Sequence, residues 1–297
     1  KSGWKKYKED YKAFTYAMPA KFGSISRCNI VRDSDSIKRN LNLYVLCEDP
    51  NKFLTTGNQT VKNNNTITPC SLTSYNDEFN VTNNSIIDSI NQPVWQDIRR
   101  AFVNQQFSAI PSCAVCHQTE AQGGHSARLG ANTHFVEHCT SDIISEIRQI
   151  INNDYRTNKI LSLDWFPSNY CNYSCIMCSG GASSSRLAWE IQLHRTEQRV
   201  TIHATDADFE SIIRDVEIIN FTGGETLLQP QVLDLIDYLV EQDWAKNKTV
   251  FFLTNASAYP EKIMHKLKSF KQVIFMCSLD GVGSVIEYQR RGAEWPQ

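Results

Sequence analysis

The sequence predicts an α/β fold, a parallel sheet with helices between its strands, preceded by a loop-rich α+β region. Three observations carry this. From residue 159 short apolar runs alternate with amphipathic stretches, the rhythm of βαβ units. Polar punctuation stands just past each apolar run. Residues 1 to about 155 lack that rhythm and include an Asn-rich stretch, GNQTVKNNNTITPCSLTSYNDEFNVTNNS, full of turn formers, where long loops are expected. The chain has 297 residues, 41% hydrophobic and 21% charged, which suits two domains. Their expected spans are 1–155 and 156–297.

In the first half, Pro93 opens a helix through Trp95, Ile98, Phe102 and Gln105. A second helix, SDIISEIRQIIN, puts Ile143, Ile147, Ile150 and Ile151 on one face, with Ser141 as its cap. In the second half, KILSLDW, EIINF, KTVFFLTN and QVIFMCSLD read as strands, and RLAWEIQLH, PQVLDLIDYLVEQ and YPEKIMHKLKSF as helices. Trp165 and Phe166 read as packing residues, and Cys277 as a small buried hydrophobe. The four strands are followed by GAEWPQ, so a C-terminal truncation is expected, and Lys1 without a Met points to a missing or processed N-terminus.

A net charge of −2 lacks the basic footprint of a nucleic-acid binder. No apolar run is long enough for a membrane span or shaped like a signal peptide, so a cytoplasmic protein is expected, with neither nucleic acid nor membrane as partner. The N-x-S/T sequons, such as those at Asn172 and Asn220, are expected by chance in an Asn-rich chain.

Parallel α/β folds place their active sites at the carboxyl edge of the sheet. Four loops reach that edge: Cys171 to Cys178, then Gly223-Gly224-Glu225, then Thr254-Asn255, then Ser278-Asp280-Gly281. The segment CNYSCIMC brings three thiols within eight residues, enough to wrap one small inorganic centre from one loop. Soft thiolates select zinc, cuprous copper or iron–sulfur clusters. A 4Fe-4S cube ordinarily takes four cysteines, so three leave one iron open to something other than protein.

CxxxCxxC after one strand and GGE after the next resemble the radical S-adenosylmethionine (SAM) superfamily over residues 159 to 297. The resemblance implies a partial (β/α)6 barrel of which four strands are visible. It implies a 4Fe-4S cluster on Cys171, Cys175 and Cys178 whose open iron chelates SAM. Gly223 and Gly224 would present main chain to the methionine moiety, as a missing Cβ permits, and Glu225 would help hold the amino group. Ser278 matches a ribose-binding position and Arg290 a carboxylate-binding one, with Arg291 as its competitor. Thr226 stands where relatives often carry Pro.

The first half has a second cysteine group, PSCAVCHQTEAQGGHSARLGAN, with Cys113 and Cys116 followed by Glu120, Ser126 and Arg128. With Cys47 and Cys70 upstream, it resembles the twitch domain, a shortened relative of the SPASM domain that holds an auxiliary 4Fe-4S cluster. Cys47, Cys70, Cys113 and Cys116 are then the implied ligands, with Cys28 or Cys139 as substitutes for Cys47. Zinc suits four thiolates equally. His117, His125, His134 and His138 are expected to be solvated, and Glu120 and Arg128 either pair or touch substrate.

The resemblance implies reductive cleavage of SAM to a 5′-deoxyadenosyl radical that takes hydrogen from a substrate, with the auxiliary cluster accepting an electron or ligating the substrate. A peptide or protein is the expected substrate, and flavodoxin or ferredoxin the expected reductant. The rival is a non-catalytic zinc-binding structural or interaction protein.

Overall fold

The computed structural model describes residues 59–60, 68–69, 85–104, 106, 108, 110–193 and 210–295. Among these, a five-stranded sheet runs in chain order: β1 (Gln59–Thr60), β2 (Ser162–Phe166), β3 (Ile218–Phe221), β4 (Thr249–Thr254) and β5 (Gln272–Cys277). Every pairing is parallel. β2 to β5 fall on the four predicted apolar runs, giving the α/β partial barrel expected from sequence. β1 was expected to be loop. Its two residues pair with Trp165 and Phe166 on the free edge of β2, and two residues are too few to show periodicity.

Ten helices are described: α1 (Ile86–Ser89), α2 (Pro93–Val103), α3 (Ala114–Ala121), α4 (Ala127–His138), α5 (Ile143–Asn152), α6 (Ser184–Gln192), α7 (Glu210–Ile213), α8 (Pro230–Glu241), α9 (Glu261–Met264) and α10 (Ser284–Gln289). Pro93 and Pro230 occupy first-turn positions of α2 and α8, where the missing N–H costs nothing. α2 buries Trp95, Ile98 and Phe102, and α8 buries Val232, Leu235, Ile236 and Leu239, each an apolar stripe at helical spacing. The cap of α5 differs from expectation. Asp142 Oδ1 accepts from Ser145 N at 3.2 Å, because the Ser141 hydroxyl is drawn away to the Glu217 carboxylate.

Alternation along the strands sorts the sheet into two faces. Trp165, Phe221, Phe252 and Phe275 form one register row, with successive ring centroids 6.1, 4.9 and 5.2 Å apart. Such contacts each contribute about 0.5–1.5 kcal/mol beyond area burial. The neighbouring row, on the opposite face, holds Asp164, Asn220 and Phe251. α4 lies on that face, with the rings of His134 and His138 packed 4.2 and 5.1 Å from the Phe251 ring. These two histidines are therefore not solvated as expected, whereas His117 and His125 are exposed.

Helices from the first half thus pack on the sheet. Lys271 donates to the His138 carbonyl, Glu217 gathers the amides and hydroxyls of Thr140 and Ser141, and Asn91 bonds both main-chain groups of Thr157. All described residues belong to one compact unit, Val45–Gln297. Among the described residues, no helix is long and apolar enough to cross a membrane.

Candidate functional site

The cysteine loop leaves β2 through a polar lead-in and is held on three sides. On the first, Ser183 caps α6 and its hydroxyl donates to the Tyr173 carbonyl at 2.6 Å. Ser184 Oγ accepts from the Cys171 amide, and Ser185 Oγ donates to the Cys171 carbonyl at 2.7 Å. On the second side, the amides of Ser174 and Ile176 donate to the carbonyls of Arg291 and Gln289. On the third, Asn172 Oδ1 accepts from Asn255 Nδ2 at 3.0 Å. Sequence reasoning missed the serines. A run of three hydroxyls between the last cysteine and an amphipathic helix was the available signal.

The loop brings its thiols together. Cys171, Cys175 and Cys178 are all unbridged, the first two buried and the third partly exposed. Burial pushes each thiol above its ordinary pKa, and each is pushed further by another of the three: Cys171 by Cys175, Cys175 by Cys178, and Cys178 by Cys171. Three crowded sulfurs resist becoming thiolates together unless positive charge stands among them. Among the described residues, no three His, Cys, Asp or Glu side chains converge as ligands of one ion. A cube makes a different demand, since each thiolate binds a separate iron at a separate corner.

Gly223 and Gly224 stand beside the lead-in to this loop. The amides of Gly224 and Glu225 donate to the carbonyls of Ser168 and Tyr170 at 3.1 and 2.8 Å. A Cβ on Gly224 would lie 1.9 Å from the Tyr170 oxygen, and one on Gly223 would lie 2.6 Å from the Ser168 oxygen. Gly223 also has φ +110, which favours glycine. The close approach that both glycines permit here is therefore to the main chain of the cysteine loop. Among the described residues their own carbonyls accept no main-chain hydrogen bond.

Glu225 is fully buried, and its carboxylate accepts from Leu227 N, Thr254 Oγ1 and Asn255 N. It ties the loop after β3 to the loop after β4. Ser278 is half-buried and its amide donates to the Thr254 carbonyl at 2.8 Å, tying β5 to the same junction. Arg290 pairs with Asp280 at 2.7 Å and places Nη1 3.9 Å from Cys175 Sγ, so its charge stands against the cysteine loop. Arg291 is turned away, its guanidinium 5.1 Å from the Trp189 ring. Cys277 is a correction: it is exposed rather than buried, because β5 is the edge strand among the described residues.

The second cysteine group is built differently. Cys113 ends a 3-10 turn and Cys116 lies in the first turn of α3, both buried. Glu120 further along α3 takes a bidentate bond from buried Arg128 and a bond from Ser126, joining α3 to α4. The structure thus answers the question left open for Glu120 and Arg128 in favour of pairing. The Cys139 thiol meets Glu217, and burial with that carboxylate pushes it up to about 12. Cys28, Cys47 and Cys70 lie outside the described residues.

Residues 165–295 match the model of the radical SAM superfamily. This stretch is a radical SAM domain. No curated protein and no solved structure matches the chain. The radical SAM match runs from Trp165 in β2 to Trp295 and so takes in the cysteine loop, the glycine pair, Asn255, Ser278 and Arg290. A radical SAM domain implies a 4Fe-4S cluster and SAM, and three free sulfurs from one loop suit such a cluster.

Proposed function

We propose that this protein is an iron–sulfur enzyme in which Cys171, Cys175 and Cys178 hold a 4Fe-4S cluster, and Gly223, Gly224, Glu225, Ser278 and Arg290 surround bound SAM. The observation that carries this is three free thiols on one loop, each near enough to raise the pKa of another, with two glycines packed against the loop's lead-in. When bound, the cofactors supply one-electron cleavage of SAM to methionine and a 5′-deoxyadenosyl radical, which takes a hydrogen atom from substrate. The protein's part is placement. The carbonyls of Gly223 and Gly224 would accept from the amino group of SAM, Glu225 fixes the junction behind them, and Ser183, Ser184 and Ser185 hold the loop whose cysteines would bind the cluster. Arg290 sets positive charge beside Cys175.

A peptide or protein is the substrate class we favour. Tyr170, Met177, Leu279, Val282 and Tyr288 are exposed on the loops and helix past the strand ends, an apolar rim suited to an extended chain. A flavodoxin- or ferredoxin-type carrier supplies the electron. Cys113 and Cys116, with Cys47 and Cys70, form the auxiliary 4Fe-4S site of a twitch-like region.

Anaerobic reconstitution tests the whole reading. About eight irons and eight labile sulfides per chain are expected, with SAM altering the reduced cluster's spectrum and 5′-deoxyadenosine forming under dithionite. One or two zinc ions without labile sulfide would overturn it in favour of a structural zinc protein.

A further inference from the structure

Asn255 links the two halves of the site, and every polar atom of its side chain is engaged. Its amide N–H donates to Glu225 Oε2 at 2.6 Å, which fixes the residue at the end of β4. Its Oδ1 accepts from Ser257 N at 2.9 Å. A backbone N–H can only donate, so this bond settles which end of the side-chain amide is oxygen. Nδ2 then has to face the cysteine loop, where it lies 3.0 Å from Asn172 Oδ1 and 3.9 Å from Cys171 Sγ. Cys171 Sγ also receives the Tyr173 N–H at 3.4 Å. The sulfurs are therefore treated unequally. Cys171 has the Tyr173 and Asn255 donors and a bond with the Ser183 side chain, Cys175 has the Arg290 guanidinium, and Cys178 Sγ meets only the main chain of Ser179, whose carbonyl lies at 3.7 Å.

We propose that Asn255 is a positioning residue that donates its side-chain N–H to the Cys171 sulfur and so raises the reduction potential of the cluster that Cys171 helps hold. This rests on the cluster assignment proposed above. An added electron increases negative charge on the ligating sulfurs, and a donor aimed at one of them stabilises the reduced form. Because the Asn255 amide is also anchored on Glu225, the donor is held at the junction where SAM is proposed to sit.

The test is a dithionite titration followed by electron paramagnetic resonance on the reconstituted chain, which reads potential without turnover. Asn255→Ala is expected to shift the reduction equilibrium about tenfold toward the oxidised cluster, a fall of about 59 mV for a one-electron couple. Asn255→Ser keeps a hydroxyl for the Ser257 N–H yet is too short to reach the sulfur, and should fall as far, so it carries the test if the alanine variant loads poorly. Asn172→Ala removes the other acceptor of Asn255 Nδ2 and a bond to Ser257 Oγ but keeps the donor to sulfur, so it should leave the potential in place. A loaded Asn255→Ser cluster at the parent potential would overturn the inference, as would an equal fall in Asn172→Ala, which would make loop geometry the cause. Failure of the parent chain to bind iron and sulfide would sink the cluster assignment itself, and iron analysis reveals that before any titration.

Discussion

Two Cys-x-x-Cys pairs in this chain have the same spacing and opposite surroundings. Cys175 and Cys178 sit in an irregular loop at the carboxyl edge of a parallel sheet, with Cys171 close enough to raise the pKa of Cys178. Cys113 and Cys116 sit at the foot of a helix, 6% and 2% exposed, and the same helix carries Glu120, paired with Arg128. In the loop, hydroxyls from the start of α6 and carbonyls of Gln289 and Arg291 fix the main chain. In the helix, the main chain bonds within itself and both thiols are buried. Spacing alone therefore says little about ligation. What distinguishes the pairs is whether the backbone spends its hydrogen bonds locally or on distant segments.

Paired substitutions put the largest effect on that contrast. Cys175→Ala should remove the SAM-binding cluster, lowering iron by about four per chain and abolishing 5′-deoxyadenosine formation. Cys116→Ala should remove an equal amount of iron from the auxiliary site while 5′-deoxyadenosine still forms without substrate conversion. Iron and sulfide analysis beside chromatography of the nucleoside product checks both. If Cys116→Ala keeps its full iron and loses only about 1 kcal/mol of stability, the helical pair is core packing and the contrast is sharper than proposed.

The glycine pair gives the next effect. In Gly224→Ala the new methyl meets the Tyr170 carbonyl at 1.9 Å, a main-chain atom that cannot rotate aside. The lead-in to the cysteine loop has to move, and overpacking of this kind costs about 1–3 kcal/mol. Cluster occupancy should fall while iron at the first-half site stays. A variant that melts with the parent and loads both sites fully would show that the loop tolerates the shift.

The sheet was legible because each long strand carries its own apolar run with polar residues beyond it, and the thiols because CxxxCxxC is dense and local. The glycines were legible as a place where main chain comes close, yet what approaches them is the Ser168 to Tyr170 backbone, a contact between segments about 55 residues apart that no local pattern encodes. Thr254 and Asn255 read as turn formers, since an Asn after a strand looks the same whether its amide meets water or a sulfur. β1 and Cys277 were misread for a common reason. Strand pairing and burial at a sheet edge depend on which neighbours arrive, and a short segment carries no sign of them.

The smallest effect concerns α4, the helix that joins the second cysteine group to the sheet. Burial against Phe251, with repulsion from His138, pushes His134 down to about 4 from 6.5, although a bond with Asn220 opposes the shift. The unfolded chain takes up that proton near pH 6.5, whereas the folded chain resists it until about 4. Stability should therefore fall as pH drops from 6.5 to about 4, by on the order of 2 kcal/mol from this group, and level off below. His134→Phe keeps a ring on Phe251 without the titration and should flatten that part of the curve. Hydrogen exchange tells the regions apart: in the parent, acid should loosen α3 and α4 while the loop 171–178 stays protected. Equal loosening of both, or the same acid slope in parent and variant, would mean that α4 does not hold the first-half cysteines through its histidine contacts.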